Sequence, residues 1–196
     1  MSIDTLIAIA VGLGLAASAG MRVFLPLFVL GLAASADVVP LAEHWQWLGS
    51  TAALIGLGTA MLLEIGAYYV PWLDHALDVV ATPAALMAGM IATASVLIDV
   101  PPMLKWAVVI VGGGGVAGLT QGASVLARLK SGALTGGLAN PAVSTVEWMS
   151  ALLLAALAVL VPMLAILLVI VLFVLIVRRG GRVLFGRRTP KVFTSV

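Results

Sequence analysis

The chain has 196 residues, of which 63% are hydrophobic and 9% are charged, and its mean hydropathy is +1.23. In a typical soluble domain roughly a quarter of the residues are charged. This composition therefore excludes an ordinary soluble protein and indicates an integral membrane protein. The absence of cysteine excludes thiol catalysis, disulfides and cysteine metal sites. The net charge is +2, and the basic residues are concentrated after Val177.

Hydrophobic stretches that could cross a membrane begin near the N-terminus. The first, residues 5–34, exceeds the ~20 residues that a straight span needs. Because Pro26 removes a backbone donor after several glycines, we expect one bent span or two half-helices there. A polar loop, residues 35–46, separates this stretch from the second span, residues 48–70, which carries Glu64 near its end.

The third and fourth spans lie in the middle of the chain. Residues 72–82 are interpreted as a short loop or surface helix, and the third span, residues 83–99, is expected to begin at Pro83. Thr82 would cap that helix, and proline is favoured at a first helical position. The fourth span starts at Lys105 and ends near residue 129.

The last apolar stretch is too long for one span. It follows a glycine-rich loop, residues 130–140, and a helix over residues 141–177 would be ~55 Å long, against a hydrocarbon core of ~30 Å. Pro162 lies near its middle, so we predict two spans that meet in a tight turn at Val161-Pro162. The sequence therefore predicts an all-α, polytopic transmembrane bundle of about six spans.

The distribution of basic residues predicts the topology. Six of the ten basic residues lie in the last 19 positions, and such a tail marks the cytoplasmic side. Six spans then place both termini in the cytoplasm, with Arg128 and Lys130 as topological anchors. We divide the chain into a transmembrane helical domain, residues 1–178, and a basic cytoplasmic tail, residues 179–196, which is expected to contact anionic lipid rather than nucleic acid.

Two internal similarities suggest a repeat, and they are mutually inconsistent. The glycines before Arg22 are similar to those before Arg128, which implies 3+3 inverted repeats with glycine- and proline-broken helices, a common plan in transporters. The alternative pairs the segment around Pro83 with the segment around Pro141 and implies a parallel hairpin repeat. We favour the inverted repeat.

Polar residues inside the apolar stretches are the candidate site, because such groups are costly in a membrane and usually functional. Arg22 would either pair with Glu64 or Glu147 or clamp an anion. Glu64 is either an interfacial or arginine-paired carboxylate or a group that couples a proton or cation. The run Gly112–Gly115 either lets helices pack closely or forms an unwound segment that lines a cavity.

The start of the fifth span carries a second polar group. The spacing of Asn140, Ser144 and Glu147 places them on one helical face. Asn140 would cap the helix, and the helix dipole would favour the negative charge of Glu147 in an early turn. Alternatively, the face forms a polar wall opposite Thr120 and Gln121.

Three segments resemble a known family. They are Ser18–Phe28 (SAGMRVFLPLF), Leu134–Glu147 (LTGGLANPAVSTVE), and Glu64 with the VPWLD and Thr-Pro sequences that follow it. The chain resembles, up to about Val177, a bacterial family of small integral membrane proteins known as domain of unknown function 4126. The resemblance implies a bacterial inner membrane protein but no activity. Trp148 stands where members often have a second acidic residue, so no paired-carboxylate role is implied.

We therefore expect a small multi-pass transporter or channel for an ion or small polar solute. No enzyme motif or cofactor fingerprint occurs, so we expect neither an enzyme nor a cofactor. The residues expected to line the site are Arg22, Glu64, Thr120, Gln121, Asn140, Ser144 and Glu147.

In this interpretation Arg22 holds an anionic group or gates the carboxylates, and Glu64 and Glu147 bind a proton or cation. The alternative is a non-transporting lipid-binding or assembly factor whose polar residues pair internally. The glycine- and alanine-rich helix faces also suit a homo-oligomer, because small residues let membrane helices approach closely.

Overall fold

The computed structural model describes the backbone of residues 2–69 and 71–184, and the side chains of these residues except 71–79, 176 and 179–184. All regular secondary structure in this range is helical, which confirms the all-α prediction. The last helix reaches Leu184, past the predicted domain boundary. The rest of the predicted basic tail lies outside the described residues.

The helices occur along the chain in the order α1 Ile3–Ala19, α2 Phe24–Ser35, a 3₁₀ helix Glu43–Gly49, α3 Thr51–Ala67, α4 Pro71–Val96, α5 Pro102–Ala107, a π-helical segment Val108–Gly114, α6 Gly115–Thr135, α7 Asn140–Leu160 and α8 Pro162–Leu184. From α5 to α6 the helix is continuous over 34 residues. Local signals explain several helix starts, since Ser2 and Ser50 accept N-terminal N–H groups of α1 and α3. The predicted turn at Val161 is confirmed, because it separates α7 from α8.

The first hydrophobic stretch folds back on itself as two helices. Gly12 in α1 packs on α4, where an added Cβ would lie 3.0 Å from Thr93 Cα. The backbone N–H of Ala42, after α2, donates to the carbonyl oxygen of Ser95 at 2.8 Å. The start of α1 and the segment after α2 therefore lie beside the same end of α4. α1 and α2 form a hairpin with its tip at residues 20–23, which we call the hairpin tip.

The hairpin determines where the chain ends lie. Gly14 of α1 packs on Ala165 near the start of α8, and Met21 at the hairpin tip lines the same cavity as Leu172. α8 thus runs in the same direction as α1 and continues beyond the hairpin tip. Of the two alternatives for the first stretch, the two half-helices are the one that fits. The predicted placement of both termini on one side counted this stretch as one bent span, so it does not follow from a hairpin.

Each of the other five predicted spans corresponds to a single helix or continuous helical run. Among the described residues, two helices, Pro102–Thr135 and Asn140–Leu160, are long and apolar enough to cross a membrane. A third span is added if the 3₁₀ helix and α3, bent by 65° relative to each other, are counted together. The apolar helices are compatible with residence in a membrane. The count of six spans and the inverted repeat stay predictions.

Two predicted helix starts differ from the structure. α4 is continuous, so Pro83 lies inside it rather than at a helix start. Residues 72–82, which were interpreted as a short loop or surface helix, are helical and belong to α4. Membrane helices tolerate an internal proline because neighbouring turns satisfy the freed backbone groups. At the start of α7, Ala139 occupies the N-cap and makes no side-chain hydrogen bond, so Asn140 is the first helical residue rather than the cap. Pro83 and Pro141 therefore occupy different structural positions.

Close contacts at glycines hold α1, α4 and α6 together. A Cβ on Gly20 would lie 1.7 Å from Thr120 Oγ1 and 2.3 Å from the carbonyl oxygen of Ala117. A Cβ on Gly113 would lie 2.8 Å from the carbonyl oxygen of Gly89. The four-glycine run stays helical, partly as π-helix. These contacts support the close-packing interpretation of the run and not the unwound one.

Candidate functional site

The hairpin tip contains an almost completely buried arginine. Arg22 is 1% exposed, and it lies in the break between α1 and α2. Its Nη1 donates to the carbonyl oxygen of Met21 at 3.0 Å, and its Nη2 donates to that of Ser144 at 3.1 Å. The same Nη2 lies 3.3 Å from Glu147 Oε2. The predicted intramolecular ion pair of Arg22 is therefore confirmed, with Glu147 as the partner.

The carboxylate of Glu147 is surrounded by three donor side chains, two from α6 and one from the hairpin tip. Arg128 of α6 donates from Nε to both carboxylate oxygens, at 3.3 and 3.1 Å, and also from Nη2 to Oε2. Ser124 Oγ donates to Oε1, and Arg22 approaches from the hairpin tip. Buried charges are tolerated only when they are paired and hydrogen-bonded, and Glu147 satisfies this condition for two arginines at once.

An aromatic ring completes the group. Tyr68, the C-cap residue of α3, is 4% exposed. The Cζ atoms of Arg22 and Arg128 lie 4.1 and 4.0 Å from the centroid of its ring. Such cation–π contacts stabilise guanidinium groups that are removed from water. We refer to Arg22, Tyr68, Ser124, Arg128 and Glu147 together as the arginine cluster.

Glu64 makes contacts that were not predicted. Its two carboxylate oxygens accept hydrogen bonds from the backbone N–H groups of Val23, at 2.8 Å, and Phe24, at 3.1 Å. The first N–H groups of a helix have no partner within the helix, and a negative charge there is favourable. Glu64 of α3 thus caps α2 and fixes the shape of the hairpin tip beside Arg22.

Ser144 lies next to Arg22 and leaves a polar atom unused. It is 1% exposed, and its carbonyl oxygen accepts a hydrogen bond from Arg22. Its Oγ and the Nε of Arg22 are both buried, and neither atom has a hydrogen-bond partner among the described residues. Asn140, in the first turn of α7, is half-buried, and none of the described contacts joins it to the arginine cluster.

The predicted polar wall opposite Glu147 is formed only partly by the expected residues, since Thr120 lines the same cavity as Glu147. Thr120 is buried, and its Oγ1 donates within α6 to the carbonyl oxygen of Val116 at 3.0 Å. Gln121 is buried as well, but none of the described contacts joins it to Glu147. The side chains that contact Glu147 from α6 are instead Ser124 and Arg128, one and two turns further along.

Three members of the arginine cluster had no predicted site role: Tyr68, Ser124 and Arg128. The sequence predicts Arg128 to be a topological anchor, yet Arg128 is 4% exposed. One signal pointed to it, because Thr120, Ser124 and Arg128 recur at intervals of four and so share a helix face. No comparable signal singles out Tyr68, since an aromatic residue near the end of a span is also typical of a membrane interface.

Two cavities approach the hairpin tip from different sides. The α6–α7 cavity has a volume of about 430 Å³ and is lined by Met21 and by residues of α6, α7 and α8. The α3–α4 cavity has a volume of about 330 Å³ and is lined by Val23 and by residues of α2, α3 and α4. Most of the lining is apolar in both. The polar residues are Thr120, Ser124 and Glu147 in the first cavity and Glu64 and Tyr68 in the second.

Arg22 therefore stands between two residues that line different cavities, Met21 and Val23. The arrangement can bind or exclude a charged group, because a guanidinium has donors on several sides. Among the residues that the structure describes, no three histidine or acidic side chains converge. We therefore identify no candidate metal centre there.

Comparison with known proteins gives a family and nothing finer. The family described as a domain of unknown function (DUF4126) matches residues 9–180. Neither a curated protein nor a solved structure matches the chain significantly. The matched range contains the hairpin tip, the arginine cluster and both cavities, so the candidate site lies within the part of the chain that the family shares.

Proposed function

We propose that this chain, which belongs to the DUF4126 family, is a membrane transporter or channel for an ion or small polar solute. The family has no assigned activity, so the proposal is argued from the candidate site alone. One observation carries it: Met21 and Val23 line two different cavities, and the buried Arg22 lies between them. The hairpin tip thus has the position of a gate.

The chemistry of the hairpin tip supports this role. Ionisable residues within membrane segments are rare and usually belong to a substrate or ion pathway. Interrupted helices at membrane depth are tolerated where they are buried in protein or line a cavity, and they form the binding sites of many transporters. The break between α1 and α2 combines both features, because it holds Arg22 and borders both cavities.

A small set of contacts holds the gate closed in this proposal. Arg22 contacts α7 through the carbonyl oxygen of Ser144 and through Glu147. Glu64 binds the start of α2 from α3. If the first two contacts separate, α7 moves away from the hairpin tip while Glu64 keeps the tip intact. The two cavities then become continuous beside Arg22, and Arg22 and Glu147 are free to bind a solute.

We propose an orientation in the inner membrane of a bacterium from the positive-inside rule. The basic residues beyond α8 belong in the cytoplasm, where they contact anionic lipid. The N-terminal end of α1 then lies on the outer face, because α1 and α8 run in the same direction. The proposal includes neither an enzymatic activity nor a cofactor, and it leaves room for a homo-oligomer.

Flux through liposomes tests the proposal. Purified protein is reconstituted, and the efflux of a panel of ions and small polar solutes is compared with efflux from empty liposomes. We expect at least one solute to move faster with the wild-type protein, and Arg22→Ala to reduce that rate at least tenfold. Glu43→Gln, at an exposed position in the 3₁₀ helix, is the control and retains the wild-type rate. Equal efflux from empty and wild-type liposomes would refute the proposal.

The second candidate is a non-transporting lipid-binding or assembly protein. It is favoured by the dense internal pairing of Glu147, which three side chains contact. Replacing a buried ion group by apolar residues of similar volume is often neutral for stability. The triple variant Arg22→Met, Arg128→Met, Glu147→Leu therefore separates the two functions. A folded variant that keeps the wild-type cellular phenotype supports the structural role. A folded variant that loses a flux that the wild-type protein shows supports transport.

A further inference from the structure

Two unpaired buried atoms lie beside the gate. Arg22 and Ser144 are each 1% exposed, and the atoms without a partner among the described residues are Arg22 Nε and Ser144 Oγ. The two residues are in contact, because Arg22 Nη2 donates to the carbonyl oxygen of Ser144 at 3.1 Å. A buried donor without an acceptor is unfavourable, so these two atoms are candidates for contact with a ligand.

We propose that Arg22 Nε and Ser144 Oγ bind a small monovalent anion, and this inference rests on the proposed transport function by naming its substrate class. A guanidinium N–H only donates, and a serine hydroxyl can donate as well. A ligand that accepts from both is a halide or a small oxyanion. The positive charge of Arg22 favours an anion over water, since charges interact more strongly inside a protein than in solvent.

The surroundings of Arg22 limit the charge of the ligand. Two of its nitrogens already donate to carbonyl oxygens, those of Met21 and Ser144, so Nε is the guanidinium nitrogen without a partner in the described part of the chain. Glu147 Oε2 lies 3.3 Å from Nη2 of the same guanidinium and repels a second negative charge nearby. The charge of Glu147 therefore disfavours a phosphate or dicarboxylate, and a monovalent anion such as chloride, nitrate or formate is the ligand class that we infer.

The site is also placed for access from the cavities. Met21, which precedes Arg22, and Glu147, which contacts it, line the α6–α7 cavity. Val23, which follows Arg22, lines the α3–α4 cavity. An anion bound to Arg22 Nε is thus within one residue of both cavities, as the substrate site of a gate must be.

Anion-dependent thermal stability tests this inference without any flux. The purified protein is unfolded in detergent while sodium gluconate is replaced by sodium chloride, nitrate or formate at constant ionic strength. We expect a saturable rise in Tm with at least one of these anions, because a ligand that binds only the folded state stabilises it. The comparison of chloride with formate separates a halide site from a carboxylate site.

Variants locate the site. Ser144→Ala removes the hydroxyl but keeps the carbonyl oxygen that Arg22 contacts, and we expect it to weaken the apparent affinity at least tenfold. Arg22→Lys removes Nε and should abolish the anion-dependent rise. Thr145→Ala, which removes an exposed hydroxyl from the next residue, is the matched control and keeps the wild-type response. If Arg22→Lys does not fold, Ser144→Ala alone still tests whether the anion binds at this site.

The outcomes separate this inference from the transport proposal. No anion-dependent rise in the wild-type protein, or an equal rise in Ser144→Ala and Thr145→Ala, would overturn the anion site. Cation flux in liposomes together with that result would leave the transport proposal standing. A rise that Ser144→Ala weakens, without flux of any solute, would establish the anion site and refute transport.

Discussion

At the scale of single residues, Arg22 shows how a charge is accommodated in an apolar chain. Its guanidinium is buried against two carbonyl oxygens, one carboxylate and one aromatic ring. Lipid offers these polar partners no replacement contacts. Separating them therefore costs free energy, and this keeps the group together. The same property suits a gate, because a bound solute can replace one partner at a time.

The carboxylate of Glu147 is the residue on which the arginine cluster depends most. In Glu147→Gln, Arg22 and Arg128 keep their charges but lose the shared counter-charge, and leaving a buried charge unpaired typically costs ~3–5 kcal/mol. We expect the free energy of unfolding in detergent to fall by about this amount. Glu43→Gln, which is exposed, should change it by less than ~0.5 kcal/mol. Equal effects of the two substitutions would contradict the buried pairing.

Part of the arginine cluster could be predicted from the sequence. Arg22 and Glu147 are conspicuous because they are polar within apolar stretches, and the predicted pairing of Arg22 with a glutamate is confirmed. Arg128 could not be assigned with the same argument. A cation near the end of a span is favourable both as a topological anchor and as a buried partner of a carboxylate. Only the orientation of α6 about its own axis decides between these two roles.

At the scale of helices, the hairpin tip depends on a cap supplied by another helix. Glu64→Gln keeps one oxygen acceptor of the two that bind Val23 and Phe24 and removes the charge. Leaving a buried N–H unpaired costs ~1–3 kcal/mol, and we expect the free energy of unfolding to fall by this amount. Hydrogen exchange of the Val23 and Phe24 amides should become faster. Unchanged exchange of both amides would argue against the cap.

The contact between α1 and α6 depends on a glycine. Gly20→Ala places a Cβ where Thr120 Oγ1 and the carbonyl oxygen of Ala117 already lie, so the helices must separate. Overpacking of this kind typically costs ~1–3 kcal/mol, and we expect a corresponding loss of stability in chemical unfolding. Gly122→Ala is the control, because nothing lies within 4 Å of its added Cβ. A Gly20→Ala protein as stable as Gly122→Ala would show that the helices are not in contact there.

The existence of the helices could be predicted, but the direction of α2 could not. Apolar length and proline positions indicate the spans and the turn at Val161-Pro162. Whether a break near Pro26 gives a bend or a hairpin depends on contacts remote in the chain, such as Ala42 with Ser95. The continuity of α4 through Pro83 likewise depends on packing that no local pattern encodes.

At the scale of the whole molecule, the hairpin predicts termini on opposite faces of the membrane. The chain has no cysteine, so single cysteines can be labelled without background. We expect Ser2→Cys and Asp37→Cys to react with a membrane-impermeant maleimide in intact cells. Leu138→Cys, between α6 and α7, should react only after permeabilisation. Protection of Ser2→Cys in intact cells, with normal reaction at Asp37→Cys, would contradict the hairpin.

The central claim is that solutes pass the hairpin tip beside Arg22, and cysteine modification during flux tests it most directly. Met21→Cys in the otherwise cysteine-free chain places a thiol in the α6–α7 cavity. Leu62→Cys, on the exposed side of α3, is the control. We predict that a thiosulfonate reagent blocks flux through Met21→Cys liposomes, that a reductant restores it, and that Leu62→Cys is unaffected. Full flux through Met21→Cys protein that mass spectrometry shows to be completely modified would contradict the claim.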